Sequence, residues 1–408
     1  MTQKRYIILS LAVIVIGLLG WWLLGYFAIG ETGTTPGAVV RMQESSLDTV
    51  PDAGTDSALT GLPPERTAWR IEEVVSGLEV PWSIVWTSPE RILVAERPGR
   101  IRVVENENLL PDPLHVFDDV SSNAEEGLMG LAIDPAYASN RLLYVSYAYR
   151  VGSEYAVRVV RFRDEGDSLS DETVLLDDIP AARFHAGARL KFGPDDKLYL
   201  TTGDATDADI AQDLESLGGK ILRMNPDGTI PDDNPFPNSY VWSYGHRNAQ
   251  GIDWHPISLE LYSTEHGPSL FDGPAGGDEV NHIRPGENYG WPLVSHKESI
   301  EGARDPLLVF TPAEAPASGV FYASANIVQW EHDFFFGALR GEGIIRVRLS
   351  PADPRQVAEY EKLDIGDLGR IRDVALGPDG HLYFSTSNTD GRGTADPRDD
   401  RIFRILPE

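Results

Sequence analysis

One phrase recurs along this chain: an apolar pair, a proline-centred turn and a short β-rich run. It reads SIVWTSPERILVAE from Ser83, LAIDPAYASNRLLYVSY from Leu131, LKFGPDDKLYLTTGD from Leu190, IDWHPISLELYSTEHG from Ile252 and VALGPDGHLYFSTSN from Val374. Each copy predicts strand, tight turn, strand. The turn prolines stand at 89, 135, 194, 256 and 378, so the first three gaps are about 46, 59 and 62 residues and the last, about 122, spans two units. A sixth, degenerate copy is therefore expected near residue 317.

Between the copies lie further alternating runs, at 100–106, 155–163 and 343–350, which read as half-buried outer strands. The only helical candidate, 209–221, is short. Two stacked sandwiches would have no reason to show a period near sixty. A closed ring of blades does, because radial closure leaves only short sheet edges. The expectation is an all-β, six-bladed β-propeller over residues 67–408, closed by pairing 69–75 with 401–406. Inner strands then converge on a central channel, and the loops of one face surround its mouth.

The N-terminal part reads differently. Residues 6–28 form an uncharged apolar run with Lys4 and Arg5 before it and Glu31, Asp48 and Asp52 after it. Its length suits a bilayer span, and the charge bias places the N-terminus in the cytoplasm and the rest outside. Residues 1–29 are thus expected to be a membrane anchor, a single N-terminal transmembrane helix. A cleaved signal peptide is the competing reading. Residues 30–66, rich in Thr, Gly, Pro, Ser and Asp, read as a flexible linker. The location expected is extracytoplasmic, periplasmic or cell-surface, with secretion if the segment is cleaved.

The chain has no cysteine, which excludes disulfides, thiolate nucleophiles and thiolate metal sites. Its formal charge of −28 argues against nucleic acid as a partner, since phosphate would be repelled. That acidity is either an adaptation to high salt or ordinary solubility.

Chemistry concentrates in 241–292, where VWSYGHRNAQGIDWHP, LYSTEHGP and GGDEVNHIRPGENYGWP follow one another. The stretch has too little apolar material to fold by its own burial, so its polar groups point to a ligand or a cation. Arg247, Asn248 and Gln250 offer a guanidinium fork and amides to an anionic, carbonyl-rich ligand; a surface ion pair is the bland reading. Arg340, Arg370 and Arg372 form a second basic set, for which Asp367 and Asp373 are possible local partners. His185 precedes an inner strand whose far end carries Asp204. An imidazole oriented by a carboxylate suits proton abstraction from a hydroxyl. Oxygen ligands without sulfur suit a hard cation such as calcium. The Asp278 and Glu279 pair either serves that cation or caps a turn.

In order and spacing, HAGARLKFGPDDKLYLTTGD, GGKILRMNPDGTIPDDNPF, GHRNAQG, EHGP, GGDEVN and ENYGWP resemble the quinoprotein glucose and aldose sugar dehydrogenases. The resemblance runs from about residue 70 to the C-terminus. It implies a propeller that binds pyrroloquinoline quinone (PQQ) and calcium, oxidises the C1 hydroxyl of aldoses to lactones and passes electrons to an external acceptor. By that resemblance His185 is the general base, Asp204 orients it, and Arg247 stabilises charge on the quinone. Glu125, Asn248, Gln250, Asp278, Arg340, Arg370 and Arg372 fall at cofactor-binding positions. Carbonyls of Gly267 and Pro268 match the ligands of an active-site calcium, and Glu279 and Tyr289 those of a second, structural calcium. Four features depart from the pattern. Arg340 stands where lysine is usual, Glu125 where glutamine is common and Phe184 where a polar residue often precedes the base. The insertion SLFDGPA lengthens the loop between EHGP and GGDE. Two other readings stay open: a non-catalytic calcium-binding propeller acting as an extracytoplasmic binding module, and a calcium-dependent lactonase.

Overall fold

The computed structural model describes residues 68–408. The anchor and the linker expected from the sequence lie outside them. Among the described residues no helix is long and apolar enough to cross a membrane.

Six antiparallel sheets form a six-bladed β-propeller. Their innermost strands are Pro81–Ser88, Leu128–Ile133, Leu190–Phe192, Ala249–Trp254, Pro316–Phe321 and Ile371–Leu376. Each continues outward through strands that alternate in direction. In the sixth blade Ile371–Leu376 is followed by Leu382–Thr386 and Ile402–Pro407, and the N-terminal strand Trp69–Val75 completes the sheet. Ile71 faces Ile405 and Arg70 faces Leu406, so the ring closes through the two ends expected.

The degenerate copy expected near residue 317 is the fifth blade, whose inner strand is Pro316–Phe321, but its turn is not of the proline type. It spans 322–333 and contains a 3-10 turn, Val328–Trp330, in place of the short proline turn. That insertion buries Trp330 against Tyr322 and Phe335, which explains why the copy is unrecognisable as a string. The helical candidate at 209–221 shrinks to one 3-10 turn, Ala208–Ala211, before the strand Lys220–Met224 begins.

Apolar clusters fill the wedges between blades. One joins Tyr144 and Val157 to Leu198 and Leu222; another joins Phe335 and Ile344 to Ile371 and Phe384. Along the axis the inner strands are too divergent to share a ladder, and side chains complete the backbone hydrogen bonding instead. Ser83 Oγ accepts from Leu131 N at 3.3 Å, and Ser146 Oγ donates to Ala188 O at 2.6 Å. Arg189 Nε donates to Gln250 O at 3.1 Å, and Thr264 Oγ1 to Ala317 O at 2.6 Å. Ser318 Oγ accepts from Val374 N at 2.6 Å, and Asp373 Oδ2 accepts from Ile84 N at 2.7 Å. The belt therefore returns to the first blade. Strands approach so closely inside it that a Cβ on Gly251 would lie 2.5 Å from Gly319 N.

Candidate active site

The segments that enter the inner strands converge on a cavity of about 710 Å³ at one end of the channel. Its size is within the usual range of small-molecule and cofactor sites. His185 lines it, held by the turn 184–189, where His185, Gly187 and Ala188 all have positive φ. That conformation is sparsely populated for His and Ala and persists only where surroundings impose it. Here the imposing contact is Gly203, whose Cα approaches so near that a Cβ would lie 1.9 Å from His185 O.

His185 Nδ1 is 2.7 Å from Asp204 Oδ1. Asp204 also accepts from Trp291 Nε1 at 2.8 Å and from Thr206 N at 2.8 Å. Both members of the pair are buried. The ring's other nitrogen, Nε2, is left as the one that can exchange a proton with a ligand. The strand Leu198–Thr201 runs up to Asp204, as expected from the sequence; Trp291 comes from the ENYGWP segment and was not anticipated.

Arg247 is buried, and its backbone N–H donates to Glu265, which also accepts from His246 Nδ1 at 2.8 Å. His246, fully buried and stacked on Tyr289, is a structural histidine. The Arg247 guanidinium does not stand free towards the cavity. Its Nε and Nη2 each lie 2.8 Å from Asp272 Oδ2, and Nη1 donates to His266 O at 3.2 Å. Gln250 lines the cavity. Asn248 does not: its Oδ1 accepts from Gly187 N at 3.2 Å and Gln250 Nε2 at 3.0 Å, so it braces the His185 turn from behind.

The second basic set divides. Arg340 is exposed on the rim. Arg370 and Arg372 are buried and meet Asp390 Oδ2 at 2.8 and 3.4 Å. Neither suggested partner serves them: Asp373 pairs with Arg189 at 3.1 Å, and Asp367 makes no ion pair with them. Sequence reasoning also missed Arg97, which joins this cluster on the cavity wall. Burial pushes the Arg372 guanidinium down to about 10; Asp390 opposes this, and the neighbouring charges of Arg370 and Arg97 add to it. Burial likewise lowers Arg97. Nε of both Arg97 and Arg372 is buried without a partner. Three guanidiniums around one aspartate, with unused donors, form a site short of negative charge.

Glu125 does not fill that deficit alone. Its carboxylate accepts from Arg392 Nη1 at 3.0 Å and, at 3.4 Å, from His185 N. Burial would raise it, but His266, Arg392, His185 and Arg372 hold it below the usual carboxylate range. Phe184 lies beneath Arg392, 5.5 Å from its ring centroid to the guanidinium carbon. Asp278 touches the cavity but spends its oxygens on Gly267 N at 2.8 Å and Ala315 N at 2.7 Å.

Gly267 and Pro268 border both this cavity and a smaller one, of about 10 Å³, lined also by Glu265, Glu279, Tyr289 and Trp291. Pro268 O accepts from Gly276 N at 3.2 Å. Burial and the nearby Glu265 charge drive the Glu279 carboxyl well above its usual range, against the Asn281 Nδ2 hydrogen bond at 2.9 Å. A carboxyl so destabilised in its charged form fits a place where a cation is wanted.

A sequence profile for Glucose / Sorbosone dehydrogenase matches residues 78–395. An aldose sugar dehydrogenase of Escherichia coli is 31% identical over 376 residues, covering 86% of this chain and 98% of that one. Among solved structures, an oxidoreductase (glucose dehydrogenase) of Thermus thermophilus is 40% identical with a TM-score of 0.76, covering 83% of this chain and 100% of the other. The PQQ-bound aldose sugar dehydrogenase of Streptomyces coelicolor is 34% identical with a TM-score of 0.74, covering 85% and 100%.

Proposed function

Because the chain belongs to the glucose/sorbosone dehydrogenase family, we propose that it is a PQQ-dependent aldose dehydrogenase that oxidises the C1 hydroxyl to the lactone with calcium assistance. The observation that carries this reading is the cation excess of Arg97, Arg370 and Arg372 beside the buried His185 and Asp204 pair. A planar tricarboxylate matches such a set in charge and in hydrogen-bond acceptors. Arg97, Arg340, Arg370, Arg372 and Gln250 would hold the cofactor, which, when bound, supplies an electrophilic two-electron acceptor.

His185 takes the hydroxyl proton at Nε2, while Asp204 keeps the Nδ1 proton in place and stabilises the imidazolium that forms. Arg247 contributes positive charge next to the reacting centre. Carbonyls of Gly267 and Pro268 would face one calcium, and Glu279 with Tyr289 would hold a second. Electrons leave to an external acceptor. The apolar run at 6–28 anchors the chain with the propeller outside the cytoplasm.

One observation favours the binding-module alternative: Asp272 already occupies Arg247. Titrating the cofactor-free full chain with PQQ and calcium, with a dye acceptor and a panel of aldoses, separates the two. The enzyme reading expects saturable, calcium-dependent oxidation at about one PQQ per chain. Calcium binding without PQQ binding in folded protein would establish the module instead.

A further inference from the structure

The inserted loop 269–275 borders the cavity through Ser269, Leu270 and Ala275, and two of its side chains fix it there. Asp272 is locked by the Arg247 guanidinium on one oxygen and by Ser269 N, at 2.7 Å, on the other. Next to it, the Phe271 ring lies within 24° of parallel to the His185 imidazole, with centroids 5.9 Å apart. Yet Phe271 is 68% exposed and Leu270 is 89% exposed. A lone exposed hydrophobe needs no explanation. This one is held by a half-buried ion pair against the face of the catalytic base, at the edge of a cavity rich in charged groups.

A hydroxyl that gives its proton to His185 Nε2 must approach in the plane of the imidazole, where that nitrogen's lone pair lies. The molecule carrying it then sits alongside the Phe271 ring, which is nearly parallel to that plane. A pyranose is amphipathic in the way such a wall requires. Its ring hydroxyls point outward when equatorial, and its axial C–H bonds form an apolar patch suited to the negative face of an aromatic ring. An axial hydroxyl on that side would instead be stripped of water without gaining an acceptor.

We propose that Phe271 is a specificity-determining residue that contacts the sugar and selects aldopyranoses with an uninterrupted C–H face, and that Asp272 is the positioning residue that holds it through Arg247. The proposal rests on the sugar-oxidising reading of the site. It assigns the insertion a task and gives the Asp272 to Arg247 contact a role other than blocking the site.

The test compares wild type, Phe271→Ala, Phe271→Tyr and Asp272→Asn at saturating PQQ and calcium, using glucose and galactose, which differ in one axial hydroxyl. In Phe271→Ala the KM for glucose should rise about tenfold, with most of the loss in KM rather than kcat, and the glucose-to-galactose ratio of kcat/KM should fall towards one. Phe271→Tyr should restore both, and Asp272→Asn should move part of the way. An unchanged KM and ratio in Phe271→Ala, or a Tyr variant as impaired as the Ala variant, overturns the assignment. A second measurement needs no turnover: saturation-transfer NMR from aromatic protons to glucose on the cofactor-free protein. Transfer should be present in wild type and much reduced in Phe271→Ala; absent transfer in wild type, or undiminished transfer in the variant, overturns the contact. Should wild type show transfer but oxidise no aldose, the sugar-oxidising reading fails while the contact stands.

Discussion

Asp204 Oδ1 lies 2.7 Å from His185 Nδ1, and its other oxygen is held by the Trp291 indole, so a single carboxylate fixes both the tautomer and the tilt of the imidazole. Replacing it with Asn preserves size but allows the amide to donate where the carboxylate only accepts. Asp204→Asn should therefore lower kcat by at least about a hundredfold, in line with losses of general-base catalysis, and leave PQQ affinity within about threefold. Steady-state kinetics and a cofactor titration on the same preparation check this. A kcat within tenfold of wild type would remove Asp204 from the role given to it.

The pair His185 and Asp204 was legible in the sequence because one short hairpin brackets them, and a hairpin's ends are near in space whenever its strands pair. Trp291 was not, since it reaches Asp204 from 87 positions away and reads as an ordinary core aromatic. The same limit hid Arg97 and Asp390, which share a wall with Arg370 and Arg372 only once the ring has closed. Local pairing with Asp367 or Asp373 was the natural guess from proximity in sequence. In the fold Asp373 points along the channel, where it joins Arg189 and the Ile84 amide. Five of the six repeats announced themselves through a proline turn; the blade that begins at Pro316–Phe321 did not, because its turn packs through Trp330.

The arginine cluster predicts a change of sign between empty and loaded protein. Arg372 is buried beside Arg370 and Arg97, with Asp390 the carboxylate that pairs with it. Removing its charge takes away a desolvation cost and a like-charge repulsion. Arg372→Met should raise the melting temperature of the cofactor-free protein by a few degrees while weakening PQQ binding about a hundredfold. Differential scanning calorimetry and a PQQ titration measure the two effects. A variant that is less stable when empty and binds PQQ as well as wild type would show that the cluster is structural.

Lys220 makes a prediction about pH. Its Nζ is buried and donates to Ile210 O, Ala211 O and Gly218 O at 2.8, 3.1 and 2.6 Å, tying the loop after Asp204 to its strand. Burial pushes the ammonium down to about 8. Below that pH it is charged whether folded or not, and the fold bears the cost of burying the charge. Between about 8 and 10.5 the folded chain has released the proton and the unfolded chain has not, so this group's contribution grows more favourable as pH rises, by about 3 kcal/mol at most. Lys220→Met removes three hydrogen bonds and should be the less stable protein at pH 7. The gap between the two should widen from pH 7.5 to 9.5 in urea denaturation. A constant or narrowing gap would mean that the carbonyls hold the ammonium charged throughout.

Glu279 gives the strongest handle on the proposed structural calcium. Its carboxyl is driven well above the ordinary range by burial and by Glu265, so without a cation the fold favours the protonated form. The folded state then binds more protons than the unfolded one, and this group's contribution to stability declines as pH rises above about 4.5. A divalent cation reverses the preference, because the ionised carboxylate becomes a ligand. At a hundred times its Kd such a cation stabilises by about 2.7 kcal/mol, a shift of several degrees in melting temperature. Wild type should show that shift on moving from chelator to calcium at pH 7.5, and Glu279→Gln should show less than half of it. In chelator the Gln variant should match or exceed wild type, since it no longer buries a reluctant acid beside Glu265. Magnesium, which keeps its water shell and demands a tighter octahedron, should substitute poorly. An equal calcium shift in both proteins would place the cation elsewhere and leave Glu279 as a buried acid that merely accepts from Asn281.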